Sequence, residues 1–293
     1  MQQKNKKAKK TVAARIAEFV QAGPISVYAV IFIILPFMVL LFMSFMTKGP
    51  LGTIQYKFTL DNYKTILEPV YWKVVKDSVV IAAISTIATV FTGYPLAYYV
   101  AGKKPGASNA MLMLMMIPFW ASELVILYSF VTLFNKTGII NTFLLNIGLI
   151  HQPLNLLYNK FAIVVGMVYS LLPFAVLPMY SSIEKMDKSL LEASKDLGAG
   201  PVKTFLNVTL PLTAPGMFAA VILVFIPSIG YYMITDMLGG GTNIMIGNII
   251  YNQFTVARNW PFGSALSIIL AVIILIMVAI YSKMGGDLDD LGV

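Results

Sequence analysis

This 293-residue sequence has no cysteine, only one histidine, and only 12% charged residues. The absence of cysteine excludes disulfides, thiolate metal sites and cysteine nucleophiles. A metal site needs several ligands, so His151, beside Gln152 and Pro153, is interpreted as a surface residue and no metal site is predicted. The low charge also argues against a soluble domain, in which roughly a quarter of the residues are charged.

The common catalytic and nucleotide-binding motifs are also missing. The sequence has no G-x-x-x-x-G-K-[ST] phosphate loop, no G-x-S-x-G nucleophile elbow and no H-E-x-x-H zinc pair. We therefore expect a protein that is not an enzyme, with no catalytic residue and no cofactor. Any ATP hydrolysis that drives this chain would belong to another subunit.

Apolar residues are what the sequence has in excess: they make up 58% of it, and the mean hydropathy is +0.79. Runs of about 20 apolar residues cross a bilayer as helices. The fold class is therefore predicted to be an all-α membrane protein, with its length taken up by a single bundle of six spans, 25–283. The spans are placed at about 25–45, 74–101, 110–134, 161–180, 214–235 and 261–281.

The basic residues are unevenly placed along the chain. They crowd the segment 1–24 before the first span, and two more lie in the short turn at Lys103 and Lys104. The positive-inside bias therefore predicts that the N-terminus and the tail 284–293 are both cytoplasmic. Because this charge flanks apolar runs, we expect it to contact membrane lipid and predict no nucleic-acid partner.

A polar segment, 183–213, separates the fourth and fifth spans. Ser189 followed by Glu192 predicts a capping box at the start of a helix. Gly198 predicts its end, and Pro201 predicts the start of a second helix. We therefore expect a helix, a bend and a second helix, although a connecting loop that happens to be amphipathic would show similar features.

The spacing in this segment resembles the coupling loop with which permeases of ABC importers dock on their ATPase subunit. A Glu-Ala-small triplet is followed after three residues by Gly, and after nine more by an aliphatic residue, any residue and Leu-Pro. Ser194 stands where the family usually has a second alanine. The resemblance implies a type I ABC importer permease with the MetI-like fold. Its ATPase-coupling residues would be Glu192, Ala193, Ser194, Gly198, Leu210 and Pro211.

Other stretches narrow the resemblance to permeases of spermidine/putrescine importers, over nearly everything from the first span to the last. The resemblance implies a bacterial cytoplasmic (inner) membrane complex of this chain with a second homologous permease and a dimeric ATP-binding subunit. An extracellular or periplasmic polyamine-binding protein would deliver the substrate. The stretches are Phe58-Thr59-Leu60-Asp61-Asn62-Tyr63, Pro118-Phe119-Trp120, Tyr180-Ser181-Ser182-Ile183-Glu184-Lys185 and Trp260-Pro261-Phe262-Gly263.

Acidic and aromatic residues inside the spans indicate where a substrate would pass. A carboxylate in a span is costly and usually faces a cavity or a partner, and carboxylates beside aromatic rings suit a cation. Trp120 and Glu123, three residues apart, should share a helix face. A buried hydrogen bond for Glu123, an exposed cap for Asp236 and bundle packing for the aromatics are the structural alternatives. The candidate path consists of Trp120, Glu123, Tyr169, Tyr232 and Asp236.

Three other functions remain open from the sequence. An ABC permease could carry another small solute, such as an amino acid or an iron chelate. An ion-coupled secondary transporter predicts paired broken helices in two repeated halves, and no matching halves are apparent. A subunit that only anchors an ATPase predicts no buried polar path.

Overall fold

The computed structural model describes residues 27–28 and 30–283. The predicted basic segment 1–24, the tail 284–293 and the beginning of the predicted first span lie outside the described residues. The described chain is largely helical. Its α-helices are α1 Leu35–Ser44, α2 Asp61–Ile66, α3 Pro69–Ala101, α4 Pro105–Trp120, α5 Glu123–Phe134, α6 Ile139–Asn146, α7 Lys160–Glu184, α8 Ser189–Asp196, α9 Pro201–Thr204, α10 Leu210–Leu212, α11 Ala214–Gly230, α12 Tyr232–Gly239, α13 Ile246–Thr255 and α14 Trp260–Lys283.

The centre of the bundle is α7, which packs against both α3 and α11. Met167, Leu171 and Met179 of α7 are almost completely buried there. The backbones of α7 and α11 approach closely, because a Cβ atom at Gly216 would overlap the side chain of Ser182. In a bilayer, where lipid is as apolar as the side chains, such close packing at small residues is what holds helices together.

Four segments of the described ranges are long and apolar enough to cross a membrane: Pro69–Ala101, Glu123–Asn146 (α5 and α6 together), Lys160–Glu184 and Trp260–Ala279. A fifth is obtained if Pro201–Leu212 and Ala214–Gly230, bent by 65°, count as one span. The apolar helix Val30–Ser44, in the predicted first span, is shorter. The six predicted spans therefore correspond to four or five here, because the first begins outside the described residues.

The third predicted span, 110–134, is not continuous. Helix α4 ends at Trp120, Ala121 and Ser122 are extended, and α5 begins at Glu123. Pro118, which lacks the N–H that a helix interior requires, lies just before the break. Trp120 and Glu123 are therefore on different helices, and the prediction that they share a helix face is wrong.

The fifth predicted span, 214–235, is interrupted in the same way. Helix α11 ends at Gly230, Tyr231 has φ −72° and ψ 100°, and α12 begins at Tyr232. Pro227 precedes this break as Pro118 precedes the other, and each proline follows an isoleucine. An Ile-Pro pair therefore precedes both breaks.

A small hairpin lies between α1 and α2. Its strands, β1 Thr47–Lys48 and β2 Ile54–Gln55, pair antiparallel, with Thr47 opposite Gln55. The Lys48 ammonium donates a hydrogen bond of 3.0 Å to the Ala257 carbonyl, just before α14. This bond joins the hairpin to the segment just before α14.

Candidate functional site

The predicted coupling loop folds as two short helices joined by a bend. Gly198 has φ +80°, and its N–H donates to the Lys195 carbonyl at 2.8 Å. The Ala199 N–H donates to the Ser194 carbonyl at 3.0 Å. These two bonds form a Schellman motif, in which glycine supplies the left-handed residue. Pro201 is the first residue of α9, so the predicted helix, bend and second helix are present.

The start of α8 differs from the prediction. Its first N–H, that of Ser189, is accepted by the Asp187 carboxylate at 2.9 Å, and Lys188 already has helical backbone angles. Accepting this bond lowers the pKa of the Asp187 carboxyl. The capping box of Ser189 and Glu192 is therefore wrong, because the helix is capped two residues earlier. This leaves Glu192 exposed on the first turn of α8.

Ser194, the departure from the family pattern, has a defined role in the loop. It is the buried residue of α8, and Thr204 is the buried residue of α9. Their hydroxyl oxygens are 2.9 Å apart. The extra hydroxyl that serine brings into this contact therefore has a partner, and it links the two helices across the bend.

The exposed surface of the loop includes apolar side chains. Leu197 at the bend is 88% exposed, and Val202 on α9 is 70% exposed. A polar loop with large exposed apolar residues is the type of surface that a partner protein covers. Of the predicted coupling residues, Ser194 is buried, Leu210 packs partly against the main core, and the others are exposed: Glu192, Ala193, Gly198 and Pro211.

A cavity of about 520 Å³ lies where this loop meets the bundle. It is lined by the end of α7, including Ser181, by Lys185 directly after that helix, and by Asp187, Leu190 and Leu212 of the loop. The cavity therefore separates part of the loop from the end of α7.

The two helix breaks meet at a second site, within the bundle. A cavity of about 200 Å³ lies between them, and Glu123 and Tyr231 line it. A neighbouring cavity of about 340 Å³ is lined by the same two residues and by Tyr232. We call the cavity of about 200 Å³ the first Glu123 cavity and its neighbour of about 340 Å³ the second. The full lining of the first Glu123 cavity is Pro118, Phe119, Ala121, Glu123, Ile126, Tyr169, Ser170 and Tyr231.

Glu123 is the acidic group of this site. Its Oε1 atom is buried and has no hydrogen-bond partner among the described residues. The buried hydrogen bond that would make Glu123 purely structural is therefore not seen for this oxygen. As the first residue of α5, Glu123 lies where the helix dipole favours a negative charge.

The other predicted path residues divide into two groups. Tyr169 lines the first cavity, its ring in edge contact with Phe130 at 5.2 Å. Tyr232 lines the second cavity and stacks on Tyr251 at 4.4 Å. Trp120 is 82% exposed and Asp236 is also exposed, and neither lines a Glu123 cavity. The structure thus brings Glu123, Tyr169 and Tyr232 together.

Tyr231 and Phe119 are site residues that the sequence analysis did not select. Tyr231 lines both cavities beside Glu123, and Phe119 lines the first and packs edge-on against Phe174 at 5.3 Å. No local signal in the sequence identifies them, because proline precedes both breaks but does not by itself end a helix: α7 continues through Pro173 and Pro178.

The groups that line this site are chemically able to accept a cation. One carboxylate oxygen lacks a partner, and aromatic rings that can attract a cation surround it. No group of three or more His, Cys, Asp or Glu side chains that could hold a metal ion is found within the described ranges. A single carboxylate with aromatic faces fits an organic ammonium group better than a metal ion.

Similar proteins are inner-membrane transport proteins. The spermidine/putrescine transport system permease protein PotB of Escherichia coli (strain K12) is 40% identical over 254 residues, which cover 87% of this chain and 92% of PotB. This similarity confirms the resemblance to spermidine/putrescine permeases that the sequence motifs predict.

Solved structures of a bacterial ABC transporter that imports alginate share the fold. One chain has a TM-score of 0.76 at 18% identity, over 93% of this chain and 96% of that chain. Another, from the complex with an alginate pentasaccharide-bound periplasmic protein, has a TM-score of 0.74 at 17% identity, over 95% and 97%. At this level of identity the likeness establishes the fold and not the substrate.

Residues 93–284 match a family model, that of the binding-protein-dependent transport system inner membrane component. The match includes the coupling loop, both helix breaks and the Glu123 cavities. The chain therefore belongs to the family of binding-protein-dependent inner-membrane transport components, the permeases of ABC importers, which transport solutes and are not enzymes.

Proposed function

We propose that this chain is a permease subunit of an ATP-driven importer for polyamines such as spermidine and putrescine. The observation that carries the proposal is the unpartnered carboxylate oxygen of Glu123 in an aromatic-lined cavity between two helix breaks. The 40% identity to PotB of Escherichia coli supports the same substrate class. A second homologous permease would complete the path.

The site suits a flexible polycation. A polyamine presents ammonium groups separated by methylene chains, so it needs separate acidic and apolar contacts. Glu123 supplies the charge, while the rings of Tyr169 and Tyr231 supply faces that attract cations and cover methylenes.

The coupling loop would transmit the movement of the ATPase subunits to the spans. A dimeric ATPase in the cytoplasm would bind the exposed face of the loop around Glu192, Leu197 and Val202. Closure of the ATPase dimer on ATP would move α8 and α9 as one unit, because the Gly198 bend and the Ser194–Thr204 contact hold them together. The spans would then alternate between outward-open and inward-open states.

The remaining partners follow from the predicted orientation. With both termini in the cytoplasm, the β1–β2 hairpin and the loop before α14 face outward. Leu51 at the hairpin tip is 97% exposed. This external surface would receive the polyamine-loaded binding protein, which releases its guest to the outward-open path.

Broken helices also occur in ion-coupled secondary transporters, but the family match and the 40% identity to PotB support the ABC importer and not that alternative. The two kinds of transporter differ in their source of energy. An ABC importer requires ATP and its ATPase subunit, whereas a secondary transporter requires an ion gradient and neither of these.

The decisive experiment is uptake of labelled spermidine into vesicles that contain the full complex, with its binding protein added outside. We expect uptake that needs enclosed ATP, persists when ionophores collapse the ion gradients, and is competed by putrescine. Competition by an amino acid or an iron chelate instead would contradict the substrate assignment. Uptake that follows an ion gradient without ATP would contradict the mechanism, and ATPase binding without any uptake would leave only an anchoring role.

A further inference from the structure

Helix α13, Ile246–Thr255, lies directly against the second helix break. One face of it presents Gly247, Asn248 and Tyr251 to the backbone and ring of residues 230–232. We call these three residues the α13 clamp. None of them has a side chain that lines the Glu123 cavities, so any effect on the cavities must act through the break.

Gly247 makes the closest approach. A Cβ atom at this position would overlap the Gly230 carbonyl oxygen and lie 3.3 Å from the Tyr232 nitrogen. The backbone of α13 therefore rests on the point where α11 ends. A side chain here would push the two segments apart, because both contacts are with backbone atoms.

Asn248 supplies the polar part of the contact and is 7% exposed. Its Nδ2 donates to the Tyr232 carbonyl at 3.0 Å. Its Oδ1 accepts from the Thr235 hydroxyl at 2.6 Å and from the Met245 N–H at 3.1 Å. Both the nitrogen and the oxygen of the Asn248 amide are thus hydrogen-bonded, and the nitrogen is bonded to Tyr232, the first residue of α12.

The clamp is itself anchored to the central bundle. The N–H of Ile246, the first residue of α13, donates to the Ser78 hydroxyl of α3 at 2.8 Å. Ser78 is fully buried. The break is therefore held from a fixed point on the longest helix, and Tyr251 adds a stacked ring over Tyr232 at 4.4 Å with 10° between the planes.

We propose that Asn248 is a positioning residue for substrate: through Tyr232 it keeps the break open and so holds Tyr231 and Tyr232 in the cavities beside Glu123. The proposal rests on the proposed polyamine function. Its physical basis is that Tyr231, at ψ 100°, is far from the helical value of about −42°. If Tyr231 became helical, α12 would rotate and different side chains would face Glu123.

Asn248 would therefore affect which polyamine is preferred as well as how fast it is transported. Spermidine and putrescine differ in length and in the number of ammonium groups. The distance between the Glu123 carboxylate and the Tyr231 and Tyr232 rings would determine which spacing is favoured. Loosening the clamp should therefore change the ratio of the two uptake rates, which a general loss of folded protein would leave unchanged.

The central variant is Asn248→Asp, which keeps the acceptor oxygen and replaces the donor to Tyr232 with a second oxygen. Asn252→Asp is the matched control, since Asn252 is exposed one turn further along α13. In vesicles with the full complex, we expect Asn248→Asp to lower spermidine transported per ATP hydrolysed about fivefold or more. The spermidine-to-putrescine ratio should shift, with ATPase stimulation retained.

Tyr251→Leu provides a second variant that leaves the buried polar groups intact. It removes the stacked ring of a partly exposed residue, and we expect the same direction of change at smaller size. Unchanged ratios in both variants would overturn the proposal. So would a parallel loss of uptake and ATPase activity that follows protein abundance, because that pattern describes only a structural role.

A thiol reporter separates failure of this inference from failure of the polyamine assignment. The chain has no cysteine, so Ser170→Cys places a single thiol in the Glu123 cavity lining. We expect Asn248→Asp to change its rate of reaction with a thiol reagent about threefold or more, while Asn252→Asp leaves the rate unchanged. Equal rates would contradict the clamp even if spermidine proves to be the substrate.

Discussion

Ser194 and Thr204 join the two helices of the coupling loop through buried hydroxyl oxygens 2.9 Å apart. The ABC permease pattern usually has alanine at the first of these positions, and an alanine would leave Thr204 without this bond. The serine in this chain and the threonine ten residues later are therefore best understood as a pair. Their contact links α8 to α9.

The pair predicts a specific result in a double-mutant cycle. Ser194→Ala should destabilise the complex by about 1–3 kcal/mol because it leaves a buried hydroxyl unsatisfied. Thr204→Val should do the same, and the double variant should recover most of the loss, since removing both partners is nearly neutral. Thermal unfolding of the purified complex measures each step. Strictly additive losses would show that the two hydroxyls do not interact.

The bend at Gly198 predicts a contrast between two nearby glycines. Neither Gly198 nor Gly200 has an atom within 4 Å of an added Cβ, but Gly198 has φ +80° and Gly200 has φ −69°. Gly198→Ala should therefore cost about 1–2 kcal/mol, whereas Gly200→Ala should be neutral or slightly stabilising. We expect only the first to reduce binding-protein-stimulated ATP hydrolysis.

Gly198→Pro should be more severe than the alanine variant. Proline fixes φ near −65° and removes the N–H that donates to the Lys195 carbonyl. Spermidine uptake should be lost while the permease still inserts in the membrane, as judged by its abundance in washed membranes. Full uptake by this variant would exclude the loop as the coupling element.

The backbone structure of the coupling loop was the part of the molecule that the sequence predicted best. Gly198 and Pro201 act through their own backbone angles, so local rules suffice to place the bend and the second helix. The capping box failed for a local reason too: Asp187 and Ser189 are both good caps, and the sequence does not say which one the helix uses.

The helix breaks were not predictable in this way, because proline alone does not decide them. Helix α7 contains Pro173 and Pro178 and continues through both, whereas Pro118 and Pro227 precede breaks. At the second break, Gly247 and Asn248 of α13, which follow Tyr232 by about 15 residues, contact the backbone of Gly230 and Tyr232. Tyr231 was missed for the same reason, since its position in the cavity depends on that break.

Close packing of α7 on α11 predicts sensitivity at Gly216. A Cβ there would overlap Ser182 and the Pro178 carbonyl oxygen, and backbone atoms cannot move aside cheaply. Gly216→Ala should lower the free energy of unfolding by about 1–3 kcal/mol. Gly106→Ala is the control, because an added Cβ at Gly106 meets no atom within 4 Å. Equal thermal stability of the two variants would show that α7 and α11 are further apart.

Glu123 predicts the largest effect on transport with the least effect on folding. Glu123→Gln keeps the shape of the side chain but removes the charge that an ammonium group would pair with, so uptake of labelled spermidine should fall about tenfold or more. Abundance and thermal stability should change much less than uptake, because the buried Oε1 atom has no partner in the described part of the chain to lose. Glu68→Gln makes the same chemical change at an exposed position before α3 and should leave uptake intact. Were both variants to transport like the unmodified protein, Glu123 would not be on the path, and the cation would have to be bound mainly by the partner permease.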